Sequence, residues 1–496
     1  MLIIMTGLPG TGKTTVAAAL AREIGADVLS TDRIRGERAG VPGFTRAEKG
    51  GVYERIFARA ERRLRAGRNV VLDGTFYLER LRRKGAGLGR RAGASVFVVE
   101  VVCPVAIVKE RMERRLRTAR AVRPAGFEVH GFIRKAYEPV RDRHFTVDTA
   151  DPASWKRRLD SLANAIRVAE RHAKIIVPLR RSGKMRLIQT HISWVLLDGA
   201  CAYKIKKPVR FSFVDYRSLE RRRVLCRNEV RVNARLSPGL YLGVVAVRER
   251  AGAVRFGGPG RVVDYAVKMR EMPQASRLDR LVARGRFGPD DMSRIVATLC
   301  DFHARARVAA GKYGSPGVIR QAFAHAFRLR PLIDSEFAAG PALDRIREKV
   351  DGFLDANAPL FRKRIREGRI RHGHGDLRMS NIFIDGDAVR IFDAVEFNPG
   401  LASSDVASDV AYLAMDLRFC GKGRLADRFI ASYVACSGDA GLRALADFYQ
   451  CYRALVRLLV EALFLADPEI GDRRKEKARL AFCRYLDLAG DFARRL

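Results

Sequence analysis

Two stretches of this chain hold phosphate-handling groups at defined spacings. Residues 7–15 read GLPGTGKTT. Gly7, Gly10 and Gly12, with Thr11 between them, let a backbone curl so that its N–H groups point inward at phosphate oxygens. Lys13 offers a point charge to β- and γ-phosphates, Thr14 offers a hydroxyl to Mg²⁺, and Thr15 carries the chain into a helix whose N-terminus favours an anion. Residues 374–381 read HGDLRMSN. There Asp376 and Asn381 have the spacing at which a carboxylate orients and deprotonates an acceptor hydroxyl while an amide holds a metal ion. Asp393, after the strand-like run 389–392, is the expected second metal ligand.

Each stretch needs further groups. For the second, a lysine on a strand should reach the α- and β-phosphates, and ACAYKIKKP offers Lys204 or Lys206, which alternation places on one strand face. Glu229 is the expected carboxylate partner, with Glu220 the second choice. For the first, Asp32 ends an apolar run in LSTDRIR. It suits a general base or a hydrogen bond to an acceptor hydroxyl, and equally a helix N-cap. Arg33 and Arg35 follow it, for an anionic acceptor or for solvent. Asp73 ends NVVLD and suits the Mg²⁺ side, through water, or an acceptor contact. Arg111 and Arg115, four residues apart on one helix face, are placed to close over a transferring phosphate or to pair with Glu110 and Glu113.

These residues must be positioned by elements. Residues 1–7, 27–30, 69–74 and 95–102 are short apolar runs of the kind that form parallel strands covered on both faces. Helical spacing fills 13–24, 45–66, 77–91 and 104–119, and the alternation predicts a doubly wound α/β domain. A closing helix is expected over 152–172, with Asp151 and Pro152 at its start and Trp155, Leu159, Leu162 and Ile166 on its apolar face. Between 175 and 268 the pattern becomes strand-like, with one helix expected over 216–236. From about 277 it is helical, broken by strands near 382–385 and 389–393. The expected domains are 1–172 and 173–496, the second with a small lobe over about 180–272 and a helical lobe over about 273–496.

Bulk properties set the outer limits. A chain of 496 residues with 48% hydrophobic content is long enough for two or three cores. No run approaches the length of a membrane span. The apolar start MLIIMTGLPG reads as a buried strand, not a signal peptide. Eight scattered cysteines without a Cys-x-x-Cys pair suit a reducing cytoplasm and argue against a disulfide or zinc framework. The net charge is +39, but 76 of the 94 basic residues are arginines spread along the whole chain rather than gathered in an arm. The expected partner is a small-molecule acceptor, not a membrane. Nonspecific nucleic-acid binding should nonetheless rise at low salt.

GLPGTGKTT, STDRIR, VVLDGTF and the arginine-rich helix resemble the small P-loop kinases. That group includes chloramphenicol phosphotransferase, gluconate kinase and the polynucleotide 5′-kinase domain, and the acceptor varies across it. The second half resembles the aminoglycoside phosphotransferase family of the protein-kinase-like superfamily. The stretches that carry the likeness are QTHISWVLLDGACAYKIKKPV, HGDLRMSNIFI, FDAVEFNP and DVASDVAYLAMDL. Together the halves look like bacterial proteins that fuse such a domain to a P-loop ATPase domain.

The resemblance implies an α/β P-loop domain followed by a two-lobed α+β domain, with ATP and Mg²⁺ at two sites. In the first site it implies nucleotide contacts from Gly7 through Thr15 and from Arg115, with Thr14 and Asp73 toward metal. In the second it implies Lys204 or Lys206 with Glu229 on the phosphates, Asn381 and Asp393 on metal, and Asp376 as base. Two nearby pairs have other expected uses: Asp405 and Asp409 for capping and support of the catalytic loop, Glu396 and Asn398 toward metal or acceptor. Three departures stand out. Arg378-Met379-Ser380 replaces the family's usual His-Leu-Gly, the P-loop domain comes first instead of second, and IQTHISW replaces a glycine-rich loop. Thr190, His191 and Ser193 are therefore candidates for phosphate contact, with an ordinary turn or strand histidine the alternative at His191. A kinase of nucleic-acid 5′-hydroxyls and a non-catalytic ATP-binding regulator are the other expectations.

Overall fold

The computed structural model describes residues 1–37, 46–118, 126–141, 144–183, 185–211, 214–327, 337, 339–466 and 472–496. The chain falls into two units, Met1–Val177 with Pro208–Phe211, and Pro178–Lys207 with Ser212–Leu496. Residues 208–211, expected in the second domain, thus group with the first.

In the first unit β1 (Leu2–Thr6), β2 (Ala26–Ser30), β3 (Asn69–Asp73), β4 (Val96–Val102) and β5 (Phe145–Asp148) form a parallel sheet in the order β2-β3-β1-β4-β5. Every residue of β1 is buried because the strand lies at the centre and both faces are covered. Alternation sends its residues to two cores. Ile3 packs with Val16, Leu20 and Trp155 on one face, while Leu2 and Ile4 pack with Ile56 and Phe57 on the other. The register sets Ser30 beside Asp73, so the chain leaves β1, β2 and β3 at one edge, where Gly7, Asp32 and Asp73 gather. The closing helix Pro152–Arg171 covers one face, and the Trp155 N–H donates to the Asp151 carbonyl (3.3 Å). β5 is absent from the sequence expectation. Its four residues alternate in exposure at the sheet edge and never form a continuous apolar run.

The second unit begins with antiparallel β6 (Arg186–Gln189), β7 (Ser193–Leu197) and β8 (Cys201–Lys206). The sheet continues from β8 through Arg261–Arg270 and Tyr241–Arg250 to Ala253–Phe256. Leu219–Asn233 is the one long helix among the described residues of this lobe, started by the Ser218 hydroxyl, which accepts from the Arg221 N–H (3.2 Å). That cap explains why the helix begins at Leu219 rather than at the expected 216. The helical lobe surrounds a core that includes Leu299, Val410, Leu413, Phe448 and Phe482. Two short ladders frame the loop His374–Asn381: Ile370–His372 with Ser403–Asp405, unforeseen in the sequence, and Ile382–Asp385 with Ala388–Ile391. The second strand stops at Ile391, two residues short of Asp393, whose φ of 66° turns the backbone away from the ladder.

Candidate active site

The first unit assembles its candidate residues at the edge where β1 and β3 end. Gly7, Gly10 and Gly12 all have positive φ, and at Gly7 a Cβ would lie 2.3 Å from the Val101 carbonyl oxygen, so only glycine fits there. Thr11 closes the loop by donating to the Leu8 carbonyl (2.8 Å). The Lys13 Nζ donates to the same carbonyl (2.7 Å). Thr14 and Thr15 are exposed. Asp73 is buried, and burial raises its carboxyl against the pull of a hydrogen bond from Thr14 and the charge of Lys13.

Two expectations change here. Asp32 caps no helix: its largely exposed carboxylate pairs with Arg35 (2.9 Å), and its charge still reaches Lys13 and Asp73. Arg111 is taken by the fold, donating to the carbonyl (2.6 Å) and hydroxyl (3.1 Å) of Thr149. Thr149 in turn donates to the Thr11 carbonyl (2.7 Å), so Arg111 braces the phosphate loop from behind. Arg115 is close enough for its charge to oppose that of Lys13. His130, absent from the sequence reading, is buried with Nδ1 2.8 Å from the Pro9 carbonyl.

Burial brings the Lys13 ammonium down to about 8. A lysine whose charge receives phosphate must be protonated to do so. Nucleotide affinity at this site is therefore expected to be constant below that pH and to fall by up to tenfold per pH unit above it. Titration of a nucleotide analogue between pH 7 and 9.5, with the second site disabled by Lys204→Met, reads this directly.

The second unit brings most of its candidates together. From β8, Lys204 pairs with Glu229 (2.8 Å) and with Asp393. Burial works against the Lys204 charge, but Asp393 and Glu229 outweigh it and hold the ammonium well above its ordinary value. Asp393 keeps about a third of its side chain exposed (35%), whereas Glu229 is sealed at 0%. Asn381 Nδ2 donates to the Asp376 carbonyl (2.9 Å) and to its carboxylate (3.2 Å).

The loop is held from below. The buried His374 ring receives the Asp376 N–H on Nδ1 (3.2 Å) and donates from Nε2 to the Phe392 carbonyl (3.0 Å), so one ring links the Asp376 loop to the segment that carries Asp393. Asp409 accepts from the His374 N–H (2.6 Å) and the Gly375 N–H (2.9 Å). Arg453 donates to the Gly375 carbonyl (2.9 Å). Asp405 caps its helix, accepting from the Ala407 N–H (2.9 Å). His303, Arg453 and Tyr241 were not legible as site residues. His303 reaches Asp409 (3.4 Å), and the Tyr241 hydroxyl accepts from the Asp393 N–H (3.2 Å).

Other candidates lie elsewhere. Lys206 is 1% exposed and its ammonium is occupied by Glu229 (2.7 Å) and Glu396, so it is not placed to touch a nucleotide. Glu396 faces that lysine rather than a metal, and Asn398 caps Pro399–Ala402 by accepting from the Gly400 N–H (2.9 Å). Glu220 is exposed and pairs with Arg223 (3.5 Å). Thr190 folds back on Ser193, its hydroxyl accepting from the Ser193 N–H (3.0 Å). His191 packs on Phe464, and burial pushes its imidazole down to about 3, leaving it neutral. None of the three offers a cation to phosphate. Arg378, the departure from the family pattern, sits 3.2 Å from the Asp376 carboxylate. Burial works to raise the Asp376 carboxyl, but Arg378 and then Arg457 outweigh it and hold the carboxyl below the usual carboxylate range.

The loop, lysine and acidic residues at the edge of the first sheet have a counterpart among known families. Residues 2–140 match the AAA domain family model. The first unit is a P-loop NTPase fold, and the second joins a lobe built on an antiparallel six-stranded sheet to a helical lobe. An uncharacterized protein of Mycobacterium tuberculosis is 35% identical over 280 residues, covering 55% of this chain and 54% of its own length. The chain thus spans about half the length of that curated relative. Among solved structures, a gluconokinase from Sinorhizobium meliloti is 20% identical, covering 33% of this chain and 94% of its own, with a TM-score of 0.26. A choline/ethanolamine kinase family protein from Mesorhizobium loti is 15% identical, covering 65% of this chain and 97% of its own, with a TM-score of 0.38. No helix among the described residues is long and apolar enough to cross a membrane.

Proposed function

We propose that the chain is an ATP-dependent phosphotransferase with two nucleotide sites, and that its second unit transfers the γ-phosphate to a hydroxyl of a small molecule. The observation that carries this reading is Lys204 held between Glu229 and Asp393, with Asn381 bonded to Asp376, whose charge reaches Asp393. Lys204 receives the α- and β-phosphates. Asp376 orients the acceptor hydroxyl and takes its proton as the phosphoryl group moves to that oxygen and ADP leaves.

The oxygens of Asn381 and Asp393 form a hard donor set that suits Mg²⁺. When bound, that ion would neutralise phosphate charge. In the first unit the same roles fall to Lys13, Thr14 and Asp73.

The test is an acceptor screen with γ-labelled ATP on the full chain carrying Lys13→Ala. A labelled hydroxyl compound that disappears on adding Asp376→Asn supports the reading, and label transfer indifferent to Asp376→Asn overturns it. Arg378 gives a second handle. A base held ionised by a neighbouring cation loses activity only as pH falls through its lowered value. Arg378→Met removes that cation, so the acid limb of the pH–rate profile is expected to move to higher pH.

A further inference from the structure

β8 carries two lysines on one face, and a single carboxylate serves both. Glu229 offers Oε1 to Lys204 (2.8 Å) and Oε2 to Lys206 (2.7 Å). Lys206 goes on to Glu396, and Tyr216 donates to the same Glu396 oxygen (3.0 Å) while its ring lies 4.9 Å from the Lys206 ammonium. The result is an alternating chain of charges, Asp393–Lys204–Glu229–Lys206–Glu396, that crosses from the strand lobe to the segment after the metal-binding strand.

The two ends of this chain differ in access. Lys204 and Asp393 keep 12% and 35% of their side chains exposed, and a nucleotide with its cation would compete for both. Lys206, Glu229 and Glu396 keep 1%, 0% and 4%, so no ligand reaches them. When Lys204 turns to phosphate and Asp393 to metal, the Glu229–Lys206–Glu396 portion has no reason to open. A glutamate held by one lysine alone can swing away with its helix. One held through both oxygens, by two groups on a rigid strand, has a fixed position.

We propose that Lys206 is a positioning residue: it clamps the second oxygen of Glu229 and ties β8 to Glu396, so that Lys204 stands preformed for the nucleotide in its absence. The inference rests on reading this cleft as a nucleotide site. Lys206 touches no ligand and acts only through Glu229.

The experiment uses the full chain with Lys13→Ala, so that only the second site binds. Affinity for a Mg²⁺-loaded, non-hydrolysable ATP analogue and unfolding temperature are measured for the Lys13→Ala chain, for added Lys206→Met, and for added Lys206→Met with Glu396→Gln. The double change removes one charge of each sign and keeps the net charge of the cluster, which suits replacement of a buried pair. Lys206→Met is expected to weaken affinity by about tenfold or more, the scale on which groups supporting a ligating residue act. The double variant is expected to recover unfolding temperature but not affinity. Unchanged affinity in Lys206→Met, or affinity recovered together with stability in the double variant, overturns the inference while leaving the phosphotransferase reading in place. If Lys206→Met does not fold, the double variant decides alone. If the Lys13→Ala chain binds no analogue, the second-site reading fails and this inference fails with it.

Discussion

Replacing Asp376 by Asn is expected to lower phosphate transfer by about 10²–10⁴-fold, the usual contribution of a positioned base, with little change in nucleotide KM. The geometry explains the split. Asp376 contacts Arg378, Asn381 and Tyr412, and among the described residues it pairs with no lysine. Its backbone is fixed from outside the side chain: His374 accepts from its N–H, and Asp409 and Arg453 hold Gly375 on either side. The amide of Asn has nearly the shape of the carboxylate, so it keeps the loop and removes the proton acceptor. Steady-state kinetics with the acceptor found by the screen checks it. A rise in KM at constant turnover would place Asp376 in binding rather than in proton transfer.

Arg364→Met is expected to destabilise the second unit by about 3–5 kcal/mol, because it removes the buried guanidinium that two buried carboxylates share. Arg364 is 1% exposed. It grips Asp405 through Nε (2.7 Å) and Nη2 (2.5 Å) and reaches Asp439 through Nη1. Methionine fills much of the same space, so the loss is electrostatic rather than a cavity. Adding Asp439→Asn should restore part of the stability by removing one of the two stranded charges. Urea unfolding of the single and double variants measures both numbers. Because Asp405 also caps the helix Val406–Phe419, whose Asp409 holds the catalytic loop, the single variant should lose turnover on warming before it unfolds globally.

The sequence made the frame legible where local rules act. Continuous apolar runs placed β1 through β4, since a strand covered on both faces needs nothing else. The phosphate loop was legible because its glycines carry a backbone requirement that few other residues meet. Lys204, Glu229, Asp376, Asn381 and Asp393 stood out in the sequence by their order within a strand lobe and a helical lobe, and the structure brings them together.

What stayed hidden depends on distant contacts. β5 has too few residues and too exposed a face to announce itself. Alternation put Lys204 and Lys206 on one face, but only tertiary packing says which one meets the cleft and which is sealed under Tyr216 and Glu396. Arg111 and Arg364 look alike in a chain with 76 arginines, yet one braces a loop through Thr149 and the other neutralises two buried acids. His191 read as a candidate because of its place in the chain, and burial against Phe464 removes it.

The proposed function requires two nucleotide sites in one chain, built on different principles. Equilibrium binding of a Mg²⁺-loaded, non-hydrolysable ATP analogue counts them. Two molar equivalents per chain are expected for the wild type, one for Lys13→Ala, one for Lys204→Met, and none for the two together. A single equivalent abolished by Lys13→Ala alone would contradict it.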